Sequence, residues 1–161
     1  MLLRPGLPSD VPRIVALERM AVARRFVGQW TEERHLAALT GGDARYFVSD
    51  AESEELQAYA ILRGLSEDSG SIELKRIVVA TPERGLGRRI LEELIRIAFE
   101  DLKAHRLFLD VYEDNHRARH LYESLGFKYE GVMRDAALRE GEYFSLHLMS
   151  MLDREYAQRP R

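Results

Sequence analysis

The chain predicts a mixed α+β fold within the α/β class, on three observations. Apolar residues recur at helical spacing in some segments and alternate in others. The two kinds of segment take turns along the first two thirds of the 161 residues. Two strand-like runs around "REGE" then close the chain, which implies a terminal antiparallel pair. The length fits a single domain over residues 1–161, large enough to bury a core without disulfides or metals.

"MLLRPGLPSD" reads as a short strand and turn, with Ser9 or Asp10 placed to cap a helix reaching about Met20. Val11, Ile14, Val15 and Leu17 give that helix its apolar stripe. "WTEERHLAAL" is a second helix, capped by Thr31 and closed by Gly41 and Gly42. "ARYFVSD" and "LQAYAILRGL" pair as strands across the acidic turn "AESEE". "GSIELKRIVVA" is the next strand. Strict alternation sets Glu73, Lys75, Ile77 and Val79 on one face, and Ile72, Leu74, Arg76 and Val78 on the other. A helix from about Gly87 to Leu102 follows, with Ile90, Leu91, Leu94, Ile95, Ala98, Phe99 and Leu102 on one stripe. "HRLFLDVYE" is a strand, and "NHRARHLYESLGF" a short helix begun at Asn115 and ended by Gly126.

Composition removes several classes of function. The absence of cysteine excludes thiol catalysis, disulfides and cysteine-ligated zinc. No apolar run approaches the roughly 18 residues of a membrane span. The first residues lack the apolar region of a signal peptide, so a cytoplasmic protein away from membranes is expected. A formal charge of −3 argues against a nucleic-acid partner.

Chemistry enters with "VVATPERGLGRRIL", residues 78–91, a strand running through a glycine- and arginine-rich bend into a helix. A helix start offers unpaired N–H groups and partial positive charge. Gly85 and Gly87 leave room for those amides to close on an anion, and Arg84, Arg88 and Arg89 flank the turn. No Gly-Lys-Ser/Thr follows, so this is not a Walker loop, and the third glycine of a dinucleotide fingerprint is missing. A pyrophosphate suits the arrangement.

One helix later, Asn115, Ala118 and Tyr122 share a stripe and are followed by Gly126 and Phe127. Together the two clusters resemble the GCN5-related N-acetyltransferase (GNAT) superfamily. That family opens a pyrophosphate-binding helix with R/Q-x-x-G-x-G/A and lays N-x-x-A-x-x-x-Y-x-x-x-G-F beside the pantetheine arm. The second pattern is complete here, while the first has Pro82 in place of glutamine or arginine. The likeness is dense over residues 72–152, and its ending resembles the branch of ribosomal-protein alanine and spermidine acetyltransferases.

The resemblance implies a central mixed, mostly antiparallel sheet flanked by helices. It also implies acetyl-CoA as cosubstrate, no metal, and direct transfer of acetyl to a primary amine, whether of a protein N-terminus, a polyamine or another small molecule. Cofactor contacts are expected from Ile77, Val78, Val79, Arg84, Gly85, Leu86, Gly87, Arg88, Arg89, Asn115 and Ala118. Glu73 is expected to relay the amine's proton, and Tyr122 to protonate the departing thiolate. The poorly matched N-terminal third would hold the acceptor pocket, with Phe26 and Trp30 as its candidate lining and Tyr46 beside them. A homodimer through the C-terminal strands is compatible with the family's habits. Structural roles stand beside each of these: a surface ion pair for Glu73, a core aromatic for Tyr122, a plain helix cap for Asn115. His116 and His120 have metal-like spacing without a third ligand and read as exposed helix residues. A CoA-binding domain without catalysis, serving as sensor or interaction module, is the rival reading. A phosphate-binding regulator unrelated to CoA leaves the second cluster unexplained.

Overall fold

The computed structural model describes residues 2–82 and 85–160, excepting the side chains of residues 21 and 22. A seven-stranded sheet carries the fold. Its strands are β1 (Arg4–Pro5), β2 (Arg45–Asp50), β3 (Leu56–Arg63), β4 (Ser71–Val79), β5 (Arg106–Tyr112), β6 (Lys128–Arg139) and β7 (Glu142–Leu152). Their order across the sheet is β1-β2-β3-β4-β5-β7-β6, so β7 returns to lie between β5 and β6. All neighbours run antiparallel except β4 and β5.

The helices are α1 (Val11–Glu18), α2 (Ala21–Arg24), α3 (Glu32–Thr40), α4 (Leu86–Arg96), α5 (His116–Ser124) and α6 (Asp153–Ala157). Helices α4 and α5 cover one face of the sheet. Ile90, Leu91, Leu94 and Ile95 of α4 are buried there against Leu62, Leu74, Leu107 and Met149. Each such side chain contributes roughly 1.5–3 kcal/mol of burial. The other face, over β2 and β3, is covered by α1 and α3, where Ile14, Leu17 and Trp30 pack on Val48, Tyr59, Ile61 and Val78.

Strict alternation fails within β4. Ile61 pairs with Arg76 but Leu62 with Leu74, so Lys75 is an extra residue, a β-bulge. Ile72 and Leu74 before the bulge pack in the α4 core, and so do Ile77 and Val79 after it, while Val78 joins the α1 core. Glu73 therefore shares its face with Arg76 and Val78, not with Ile77 and Val79.

Other differences are local. The long helix stops being α-helical at Arg96 and continues as a π-helical turn over Ile97–Asp101. Asp10 precedes α1 but does not cap it, because its buried carboxylate instead accepts the Leu7 N–H at 2.8 Å and pairs with Arg4 and Arg13. Thr31 does cap α3, accepting the Arg34 N–H at 3.2 Å. No helix among the described residues is long and apolar enough to cross a membrane.

Candidate active site

The parallel strands β4 and β5 pair only over Ser71–Arg106, Ile72–Leu107 and Glu73–Phe108. Both strands then run on, to Val79 and Tyr112, without pairing to each other. A wedge opens in the middle of the sheet. Its β4 edge exposes main-chain donors and acceptors at residues 77–79, on the side away from β3. Buried backbone groups require partners, so this edge suits an extended ligand that carries amides of its own. Ile77 and Val79 are half-buried and Val78 buried beside it.

At the wide end of the wedge, α4 begins. Gly85 is its N-cap in the left-handed region, with φ at 70°, a conformation that side-chain-bearing residues rarely adopt. The amides of Leu86, Gly87 and Arg88 follow as the unpaired donors of the first turn. Arg84, expected to join them, lies outside the described residues. Arg89 lines a cavity of about 450 Å³ with Leu86, Thr81, Gln57 and Ser49. Two contacts stitch this loop to α5: Arg88 Nη2 donates to Ser124 Oγ at 2.5 Å, and Arg117 Nη2 to the Pro82 carbonyl at 2.7 Å. The proline that departs from the family pattern thus has its carbonyl held by the second motif.

Asn115 caps α5, its Oδ1 accepting the Ala118 N–H at 3.3 Å, and its side-chain amide donors have no partner among the described residues. Ala118 is half-buried on the α4 core. Tyr122 is buried there too, edge-on to Phe127 at 5.9 Å. Its hydroxyl makes no hydrogen bond among the described residues. Burial, with the charge of Asp110 adding, pushes the phenol up to about 12. It is therefore a proton donor at neutral pH.

Glu73 sits at the last paired position, but its carboxylate is held by Arg63, with Nε to Oε2 at 2.5 Å. Asp110 is different. Leu107, Leu109 and Val111 point into the α4 core, so Phe108, Asp110 and Tyr112 face the opposite side of the sheet. Asp110 has no ion-pair or hydrogen-bond partner among the described residues. Water reaches it, yet the concave protein surroundings penalise its charge and raise its carboxyl above the usual range, against a nearby Lys75. Nothing in local spacing marked Asp110. The one available signal was its place as the lone charge in an apolar strand, "LFLDVY".

Phe26 reaches the end of β5. Its ring is 6.1 Å from that of Tyr112, and Tyr112 is 6.1 Å from Phe144. Arg139 fills the space between them, 3.8 Å from the Phe144 centroid, and shares Asp114 with Arg25, each at 3.0 Å. Burial opposes the charge of Asp114, but the hydrogen bonds from Arg139 and Arg25 outweigh it and hold its carboxyl low. Trp30 instead lies in the α1 core, between the guanidinium groups of Arg34 (4.1 Å) and Arg76 (4.3 Å). Arg76 pairs with Glu18, which also receives Tyr59 Oη and His35 Nε2; His35 Nδ1 meets Tyr46 Oη at 2.7 Å. A Cβ on Gly28 would stand 3.0 Å from Arg76 Nη2, so the absence of a side chain there lets the guanidinium in. His116 and His120 are exposed on α5.

Known families and structures include relatives of this chain. The model of the "Acetyltransferase (GNAT) family" matches residues 17–127, and the chain belongs to that family. It is 27% identical over 119 residues to a spermidine N(1)-acetyltransferase of Vibrio cholerae, covering 73% of this chain and 68% of that one. It is 34% identical over 67 residues to the L-amino acid N-acetyltransferase AaaT of Escherichia coli, 42% of this chain and 41% of that one. Among solved structures, a point mutant of the Vibrio cholerae spermidine N-acetyltransferase SpeG superposes with a TM-score of 0.84 at 24% identity, over 98% of both chains. The fold is thereby shared, including the mostly antiparallel sheet that the resemblance implied.

Proposed function

We propose that this acyltransferase of the GNAT family uses acetyl-CoA and carries acetyl directly to a primary amine while both substrates are bound. The observation that carries the reading is the wedge between β4 and β5. It has the start of α4 at one end, a protonated Tyr122 on the α4 side and a free Asp110 on the other. The backbone of residues 77–79 would hold the pantetheine amides. The first amides of α4, with Gly85, Arg88 and Arg89, would hold the pyrophosphate, and the Asn115 side-chain amide the arm between them. Acetyl-CoA, when bound, supplies the activated acyl carbon.

The chain's own residues supply proton management. A lysine-like ammonium must lose a proton at a cost of roughly 4–5 kcal/mol at pH 7. Glu73 and Asp110 are the two carboxylates in place to take it, directly or through water. We assign the proton to Asp110, because Arg63 already pairs with Glu73 while Asp110 has no such partner among the described residues. As the amine nitrogen bonds the acyl carbon and the C–S bond breaks, Tyr122 would give its phenolic proton to sulfur, and the second proton of the nitrogen would leave through water to solvent. Solvent then restores both groups.

Calorimetry with acetyl-CoA, followed by thiol release against a panel of amines, tests the reading. Binding with amine-dependent release is expected. Tyr122→Phe should lower kcat by about 10²-fold or more with little change in acetyl-CoA affinity. Binding without release from any amine would leave the non-catalytic sensor standing, and no binding would remove the CoA reading.

A further inference from the structure

Lys75 and Asp110 occupy matching places. Each lies two residues beyond the last paired position, Glu73 opposite Phe108, on the face that carries Glu73 and Phe108. They are the first charged residues to face one another where the strands part. The bulge keeps Lys75 on the Glu73 face and reverses the alternation of the residues after it. Neither has a hydrogen-bond or ion-pair partner among the described residues, so one positive and one negative group stand across the mouth of the wedge without closing on each other.

Three other carboxylates on this side of the sheet are already held among the described residues. Glu18 is taken by Arg76, His35 and Tyr59, Glu73 by Arg63, and Asp114 by both Arg25 and Arg139. A polyamine acceptor would need Asp110 for the reacting amine and a second carboxylate for its distal ammonium. None of these three is spare. The unclaimed group is instead a cation. An α-amino acid carries its ammonium and its carboxylate on one carbon, the same charges as the opposed pair with the signs reversed.

We infer that the acceptor is an α-amino acid, its amine on Asp110 and its carboxylate on Lys75. The inference rests on the N-acetyltransferase reading above and deepens it by naming the acceptor class. The partial burial of Lys75, together with the nearby Arg63, lowers its pKa, so a carboxylate arriving beside it restores a favourable environment for its charge. The transfer balances as before: N–C forms, C–S breaks, Asp110 takes one ammonium proton, the second leaves the nitrogen through water, and Tyr122 protonates sulfur. Lys75 is a substrate-binding group and moves no proton.

The test compares thiol release by the wild-type protein with L-amino acids, the corresponding L-amino acid amides, and spermidine, each corrected for its fraction of free amine. Amino acids should show the highest kcat/KM, and their amides a KM higher by about 10- to 100-fold, the size of a lost charge-assisted hydrogen bond. Lys75→Met should raise KM for the acids by a similar factor and leave KM for the amides unchanged. Preference for spermidine over every amino acid would overturn the inference while leaving the transferase reading intact. Equal effects of Lys75→Met on acids and amides would also overturn it, since Lys75 would then be structural. Release with no acceptor of any class would overturn the transferase reading itself, and the inference with it.

Discussion

Under α4 the sheet is packed by Ile90, Leu91, Leu94, Ile95 and their apolar neighbours, whereas under α1 the buried set includes Glu18, His35, Arg76 and two tyrosine hydroxyls. The two faces are therefore stabilised by different physics. Apolar packing is non-directional and tolerates modest reshaping. A buried ionic cluster holds only while every member is present, since one missing partner strands a charge in a medium that cannot solvate it. The cluster also does what apolar packing cannot. It ties the end of α1, the segment carrying Gly28 and Trp30, and α3 to the β4 residue beside the wedge. The α4 face is an apolar platform, and the α1 face is fixed by a charge lattice one residue from the bulge.

The largest effect is expected where the two faces meet. Asp110→Asn should lower kcat/KM by about 10²–10⁴-fold at neutral pH, the usual weight of a general base. Because burial raises the Asp110 carboxyl, wild-type activity should fall on acidification at a pH above the ordinary carboxylate range. The variant should lose that limb. Glu73→Gln should cost at most about 10-fold, a tenth or less of the weight of a general base. If Glu73→Gln instead removes the acid limb, the proton belongs to Glu73 and the faces share the chemistry differently.

Next comes Arg76→Met, which leaves Glu18 buried without its cation and should destabilise by about 3–5 kcal/mol. Leu94→Ala on the other face should cost about 2–5 kcal/mol by cavity formation. Size alone does not separate the two, but pH does. Burial favours protonating Glu18, yet the hydrogen bonds from His35 and Tyr59 and the charge of Arg76 outweigh it and hold its carboxyl below the usual value. A group lowered on folding contributes stability above its unfolded pKa and loses it as pH falls toward the folded one. Urea midpoints should thus show a Glu18-dependent loss on acidification that Leu94→Ala retains and Glu18→Gln removes. An identical pH profile in Glu18→Gln would mean the cluster carries no linkage.

This asymmetry also governs what the sequence made legible. The α4 stripe, the Gly85 turn and the Asn115–Tyr122 spacing are local patterns, set by helix period and cap chemistry, and the structure places each where the pattern put it. The resemblance to the family read from the sequence rests on those same patterns. The α1 face and the end of β5 depend on pairs distant in sequence: Glu18 with Arg76 is 58 residues apart, and Arg25 with Asp114 is 89. No periodicity encodes them. Alternation along β4 misassigned Ile77 and Val79 because a bulge is a two-strand event, invisible in one strand. Trp30 read as pocket lining for a related reason, since what buries it is the pair of arginines on α3 and β4.

The smallest effect sharpens the contrast by moving the same chemistry to the surface. Arg96, at the end of α4, touches Glu93, Glu100 and Asp101, as many partners as Glu18 has, but its side chain is 38% exposed. Water and salt screen such pairs, and holding the long side chains costs entropy, so Arg96→Gln should change stability by no more than about 1 kcal/mol. That small change should shrink further in molar salt, whereas the Arg76→Met penalty should persist there. A loss at Arg96 as large as that at Arg76 would show that burial is not what gives the α1 cluster its weight. The π-helical turn following Arg96 would then be the element to examine, since Arg96 bridges into it through Glu100 and Asp101.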